Sequence, residues 1–361
     1  MPFHVTVAVG PPGESPPDLG PEVGLVKAAL LYGDRVALVS PAASLLRRLL
    51  AEVALARTPA QRLDLLASLA DDLGLGIAPA AMAARIREPG VARAVERAWG
   101  GFVRRLDGAC RRNGLQELAV AERAGVLEIV DLANADAPAD LAASTADRYA
   151  GRVLEAIAGG TTHALLDGPT AEAVRGALPP LSAPRVERAR HVGLAESLVA
   201  RLPLFDRATV AETLDARRDL DRHLARFRHA VTAFSASVAS AAWDPDFRVE
   251  AERVFLRDVA PAVRDVEDAI ESTGYLRALV SRYADRPSLL APLGAPALSL
   301  ALAGPDALAH AVGLAIGASS VGANAWRAWH EAEDRRREAE AHRLFFYVAA
   351  GRRLAEAPGG R

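Results

Sequence analysis

A strand, a loop, an apolar helix and a second strand fill the first forty residues, and that order dictates a parallel sheet. Phe3 to Val9 alternates like a buried strand, Glu22 to Tyr32 reads as helix, and Arg35 to Ser40 repeats the strand pattern. Strands joined through a helix run in the same direction, and a parallel sheet needs cover on both faces. Val126 to Asp131 and Thr162 to Asp167 are the remaining strand candidates, each short and each ending in an aspartate. The Ala/Leu/Arg-rich helical stretches Ala42 to Leu75 and Val91 to Arg112 read as an insertion between strands. Pro179, Pro180 and Pro184 then mark a loop.

From Thr209 the pattern turns helical. Thr209-Val-Ala-Glu212 is a capping box, in which the hydroxyl and the carboxylate satisfy main-chain donors at a helix start. Leu220, Leu224, Phe227, Val231, Phe234 and Val238 follow the alternating four-three spacing of a coiled-coil seam, as do Leu256, Val259, Val263, Val266, Ile270 and Thr273. Asp244 as N-cap and Pro245 as the first helical residue join the two arms. The expectation is a long antiparallel helical hairpin, with Pro261 off the seam and bending the second arm. Ser288 to Trp326 carries only Asp306 as a charged side chain, and Gly304-Pro305 splits it. A charge-mixed helix, Glu331 to Arg343, then runs into Leu344-Phe-Phe-Tyr-Val348. The fold class expected is therefore α+β and mainly α: an α/β domain over 1–205 with a helical insertion, a hairpin over 206–286, and apolar Ala/Gly helices with a charged C-terminal helix over 287–361.

Leu25-Val-Lys-Ala-Ala-Leu-Leu-Tyr-Gly-Asp-Arg-Val-Ala-Leu-Val-Ser-Pro41, together with Leu202-Pro-Leu-Phe-Asp-Arg-Ala-Thr209, resembles actinobacterial proteins of unknown function. The resemblance implies a bacterial origin and this same two-part layout, and carries no activity.

At 361 residues the chain exceeds one ordinary core and suits two. A net charge of −2 argues against a broad nucleic-acid footprint, which needs many clustered phosphate contacts. Cys110 is the sole cysteine, so an internal disulfide and a multi-cysteine zinc site are excluded; it reads as a buried residue despite Arg111 and Arg112 beside it. The first ten residues alternate like a strand rather than forming the basic start and apolar run of a signal peptide, which makes the cytoplasm the expected location. Lys27 is the only lysine among 43 basic residues, a bias that suggests GC-rich coding.

The loop Gly10-Pro-Pro-Gly-Glu-Ser15 lacks the Gly-Lys-Ser/Thr of a Walker loop and the three-glycine pattern of a dinucleotide loop, and its prolines remove amide donors. The eight histidines include no pair spaced for one helix face, and no Gly-x-Ser-x-Gly elbow occurs. If the strands are parallel, Glu14, Ser40, Asp131 and Asp167 reach the carboxyl edge, where open α/β sheets bind ligands. His163 lies four residues before Asp167 on one strand face. In a metal-assisted hydrolase, Asp131 and Asp167 would be the oxygen ligands for a divalent cation, and Asp131, His163 and Asp167 the catalytic set. The simpler reading, favoured here, is that Asp167-Gly168-Pro169 is a turn in which the aspartate bonds its own backbone.

The features point first to a cytoplasmic protein that works through contact with a protein partner or with itself, using the seams, the charged tail helix and the terminal aromatic cluster. No cofactor is implied outside the hydrolase alternative. A third reading is a membrane-inserting effector, since Ala307 to Trp326 is twenty residues long with tryptophans at one end. Its alanine and glycine content, with Gly313 and Gly317 four apart, favours a helix buried in protein.

Overall fold

A computed structural model describes residues 3–10, 18–72, 88–132, 141–159, 162–177, 182–202, 205–268, 334 and 337–356. The chain divides into two compact units, the first comprising Met1–Asp219, Ser235–Ala251 and Arg353–Arg361, the second Leu220–Phe234 and Glu252–Arg352.

The first unit is built on four parallel strands, β1 (His4–Ala8), β2 (Arg35–Val39), β3 (Leu127–Ile129) and β4 (His163–Leu166), in the order β3-β2-β1-β4. Val5 pairs with Val36 on one side and with His163 on the other, and Val36 pairs with Leu127. All four expected strands are present, trimmed at their ends, and all run in one direction. Alternation along the strands makes two faces. Val5, Val7, Val36, Leu38 and Leu165 enter one core cluster, whereas Ala8, Val39 and Ala164 enter the other.

Helix α1 (Gly20–Tyr32) is apolar all round apart from Glu22 and Lys27, which suits a helix surrounded by protein. Helices α2 (Pro41–Leu55), α3 (Pro59–Asp72), α4 (Pro89–Arg112) and α5 (Leu115–Arg123) fill the connection from β2 to β3, as the insertion reading expects. Gly114 opens α5 at φ 85°, where a Cβ would meet Val23 Cγ2 at 2.8 Å, so only glycine fits this turn. Helix α6 (Leu141–Ala158) precedes β4, and α7 (Gly168–Ala177) and α8 (Ala183–Val199) follow it. On the face opposite α1, Val153 and Ile157 of α6, Val174 of α7 and Ala189 of α8 share a core with Ala8, Val39, Leu132 and Trp243.

Helix α9 (Val210–Ser235) starts with the expected capping box: Thr209 N–H donates to Glu212 Oε2 at 2.8 Å, and Glu212 N–H donates to Thr209 Oγ1 at 3.2 Å. In the second unit its seam residues Leu224, Phe227, Val231 and Phe234 are buried. Phe227 stacks on Phe346 at 5.2 Å and Arg343 lies 4.7 Å over the Phe234 ring. Phe346 and Tyr347 belong to the terminal helix α11 (Phe345–Glu356), and Leu344, Phe346, Tyr347 and Val348 are all buried. The aromatic cluster read from the sequence as a partner-binding feature is thus core of the second unit, because it supplies the ring faces on which the α9 seam closes.

The second arm departs from the expected seam. Helix α10 (Phe247–Val254) begins two residues beyond Pro245, since Asp244 serves the preceding turn by accepting from Ala241 N–H at 2.8 Å. It passes into a π-turn over Phe255–Val259, where Ala260 N–H reaches back five residues to Phe255 O, and helix continues to residue 268. The extra residue shifts the phase of the buried stripe. Ala251, Val254, Val259 and Val266 are buried, Val263 is half-buried, and Leu256, placed in the seam by a uniform period, is 61% exposed. Ile270, Thr273 and the whole 288–326 segment lie outside the described residues. Among the described residues no helix is long and apolar enough to cross a membrane.

Candidate functional site at the carboxyl edge of the sheet

Connections leave β1 toward β2 and β3 on one side and return to β4 on the other, so the strand order reverses between β1 and β4. Such a reversal separates the loops that follow the two strands and opens a crevice at their carboxyl ends. Gly10 follows β1 there, Ser40 follows β2 and Asp167 follows β4. Glu14 lies outside the described residues.

Ser40 is fully buried and caps α2, its Oγ accepting from Ala43 N–H at 3.1 Å. The same hydroxyl donates to Glu22 Oε1 at 2.8 Å. Glu22 sits in the first turn of α1 and is only 2% exposed. Burial pushes its carboxyl above the ordinary range, and Asp167 and Asp18 push the same way, against the Ser40 hydrogen bond and a main-chain one. Asp167 has the geometry of a capping turn: Oδ1 accepts from Thr170 N–H at 2.9 Å, and Oδ2 accepts at 3.0 Å from Gly10 N–H of the segment that follows β1. Thr170 Oγ1 is hydrogen-bonded to Tyr149 Oη. Burial drives the Tyr149 phenol up to about 12, so it stays protonated at neutral pH. Thr145, one turn earlier on the same face of α6, is buried with its hydroxyl unpartnered.

The two aspartates expected to share a metal are not brought together. Asp131 follows β3 and Asp167 follows β4, the opposite edge strands, so three strand spacings, about 14 Å, lie between them. That span is far beyond the ~2.3–2.6 Å reach of oxygen ligands on one ion. Asp131 instead lines a surface depression of about 360 Å³ with Arg148, Gly151, Arg152 and Glu155. His163 begins β4 and therefore lies at the amino edge, the full length of the strand from Asp167. Its ring stacks on Phe3 at 3.8 Å, near His191, and its Nδ1 is 3.2 Å from His4 O. Among the described residues no group of three or more histidine, cysteine, aspartate or glutamate side chains could hold a metal ion. Cys110 is buried, and burial raises its thiol pKa rather than lowering it.

Sequence reasoning missed Glu22, Tyr149 and Thr170. Glu22 had a visible signal, since it and Lys27 are the only charged residues in thirteen of α1. Tyr149 and Thr170 stand 21 residues apart on separate helices, and only the fold joins them. Fold and site together define a parallel α/β unit with a buried polar cluster at the carboxyl end of its strand reversal. Comparison with known protein families, curated proteins and solved structures finds no match to this chain.

Proposed function

We propose that the first unit binds a small, uncharged or cationic ligand bearing hydroxyl or amine groups at the carboxyl edge between β1 and β4. The observation that carries this reading is the convergence there of a buried Glu22, its carboxyl pushed upward by burial, with Ser40, Asp167, Thr170 and Tyr149, drawn from separate segments onto a strand reversal. Carboxyl and hydroxyl groups exchange hydrogen bonds with hydroxyls and accept them from amines. A phosphate is disfavoured, because Asp18 and Asp167 place carboxylates beside Glu22 where a phosphate cradle offers bare amides.

The test is a thermal-shift and calorimetric screen of nucleosides, sugars, polyols and polyamines against inorganic phosphate and nucleotides. A ligand at a hundred times its dissociation constant stabilises by about 2.7 kcal/mol. The reading expects stabilisation by hydroxyl or amine compounds that weakens in Glu22→Gln and Tyr149→Phe. Binding that both variants leave untouched, or stabilisation by phosphates alone, contradicts it.

A second reading keeps the protein-contact role on a different surface from the aromatic cluster. Leu45, Leu50 and Leu55 on α2 and Leu154 on α6 are large apolar side chains at 36–68% exposure, on two helices that touch. Sedimentation of Leu55→Glu beside the parent chain tests it, with a fall in association state expected and an unchanged monomer against it.

A further inference from the structure

We propose that His223 and His342 form an acid-sensitive latch that holds the first turns of α11 against α9 within the second unit and releases them when both rings take up a proton.

Both histidines act as acceptors through a ring nitrogen, which a neutral ring alone can do. Arg222 Nε–H donates to His223 Nε2 at 2.9 Å, and Leu344 N–H donates to His342 Nδ1 at 3.2 Å, immediately before α11. Protonation of His223 at Nε2 sets two donors and two positive charges face to face. Protonation of His342 at Nδ1 removes the acceptor that satisfies the Leu344 amide. The His223 ring is buried and lies 4.6 Å from Phe345, the first residue of α11.

The charges around the two rings favour the neutral forms. His223 faces Arg222 and Arg226 of its own helix and Glu340 of the 337–341 helix; burial and the guanidiniums lower its pKa, while the Glu340 carboxylate and main chain oppose them. Nδ1 has no hydrogen bond of normal geometry. His342 faces Arg343 and, from the helix continuing α10, Asp265; burial and Arg343 lower its pKa against Asp265. Glu340 ties the same contact, accepting from Arg226 Nη1 through its carbonyl at 3.0 Å and pairing with Arg222 at 4.0 Å. An imidazolium would gain some attraction from the Phe345 face, but loses a hydrogen bond and meets both arginines.

The sign follows from linkage. A histidine with a folded pKa below the ordinary 6.5 takes up its proton more readily once released, so the latch holds above that value and weakens as pH falls through the folded one. Hydrogen exchange of the full-length chain, corrected for intrinsic rates, is read over residues 344–352 between about pH 7.5 and pH 5.5. The expected result is a loss of protection of about tenfold or more on acidification, abolished in the double variant His223→Gln, His342→Asn, whose amides accept the same hydrogen bonds without titrating. A double variant that keeps the parent's pH dependence, or a parent that shows none, overturns the latch. If the double variant does not fold, ring-proton NMR of the parent decides: titration of both histidines below 6.5, with the 344–352 amides following, supports it, and titration at or above 6.5 overturns it.

Discussion

Replacing Lys27 by methionine removes the one lysine of the chain from a position where a compact ammonium has a specific task. Lys27 is 4% exposed, and its Nζ donates to the carbonyls of Phe205, Asp206 and Ala208 at 2.9, 3.1 and 3.0 Å, with the Phe205 ring 4.9 Å away. These carbonyls belong to the turn that leads into the Thr209 cap, so the ammonium ties α1 to the start of α9. Three hydrogen bonds to a charged donor are worth roughly 5 to 9 kcal/mol gross at about 1.5 to 3 each. Desolvating the ammonium offsets several of these, which leaves an expected loss of about 3 to 5 kcal/mol on truncation to an apolar residue. In a unit of this size that lowers the melting temperature by roughly 6 to 20 °C. Lys27→Arg is expected to lose most of the same energy, since a planar fork cannot aim three hydrogens from one nitrogen at three converging carbonyls. Acetylation supplies a second readout, because no other side-chain amine exists in the chain and burial lowers the pKa of this one. Native protein should react at Nζ far more slowly than unfolded protein. A Lys27→Met variant within about 0.5 kcal/mol of the parent, or a native Nζ that reacts like a peptide lysine, refutes the assignment.

Other outcomes follow from the same geometry. Glu22 holds its proton more tightly folded than unfolded, so its contribution is complete below pH 4.5 and is lost as pH rises through the folded value; Glu22→Gln should gain on the parent over that window in pH-dependent urea melts, and parallel profiles would count against the raised pKa. Val259→Ala deletes two buried methyl equivalents at about 0.8 kcal/mol each plus a cavity, about 2 kcal/mol in all, whereas Leu256→Ser should stay within about 0.5; a cost at Leu256 as large as that at Val259 would restore the uniform seam and remove the π-turn. Phe227→Ala, which takes a fully buried ring off Phe346, should cost about 3 to 5 kcal/mol in thermal unfolding, and a negligible shift would mean that the α9 seam is not buried.

The parallel sheet was legible because its determinants are local: a period of two in each strand, an apolar helix between the first pair, and chain too long for a hairpin. Strand order was not, since it depends on which edge each crossover chooses, and Asp131 and Asp167 fell on opposite edges for that reason. The α9 seam was legible from a sustained period, yet what covers it was not, since Phe346 lies 119 residues from Phe227 in a segment whose aromatic run looks the same exposed or buried. In the second arm Val259 and Val266 are buried as the seam expects and, among the described seam positions, Leu256 alone is turned out, as a π-turn carries no compositional mark and shifts the positions before it relative to those after it. Lys27 was visible as an oddity of composition, and only the three carbonyls explain why arginine does not replace it.

Hydrogen-exchange footprinting of the full-length chain, with and without a saturating compound from the hydroxyl and amine screen, tests the carboxyl-edge site most directly. The account predicts slower exchange in the segments that meet there, around Gly10, Glu22, Ala43, Tyr149 and Thr170, with little change at the amino edge around Phe3, His163 and His191. Protection confined to the amino edge or to the second unit would contradict it.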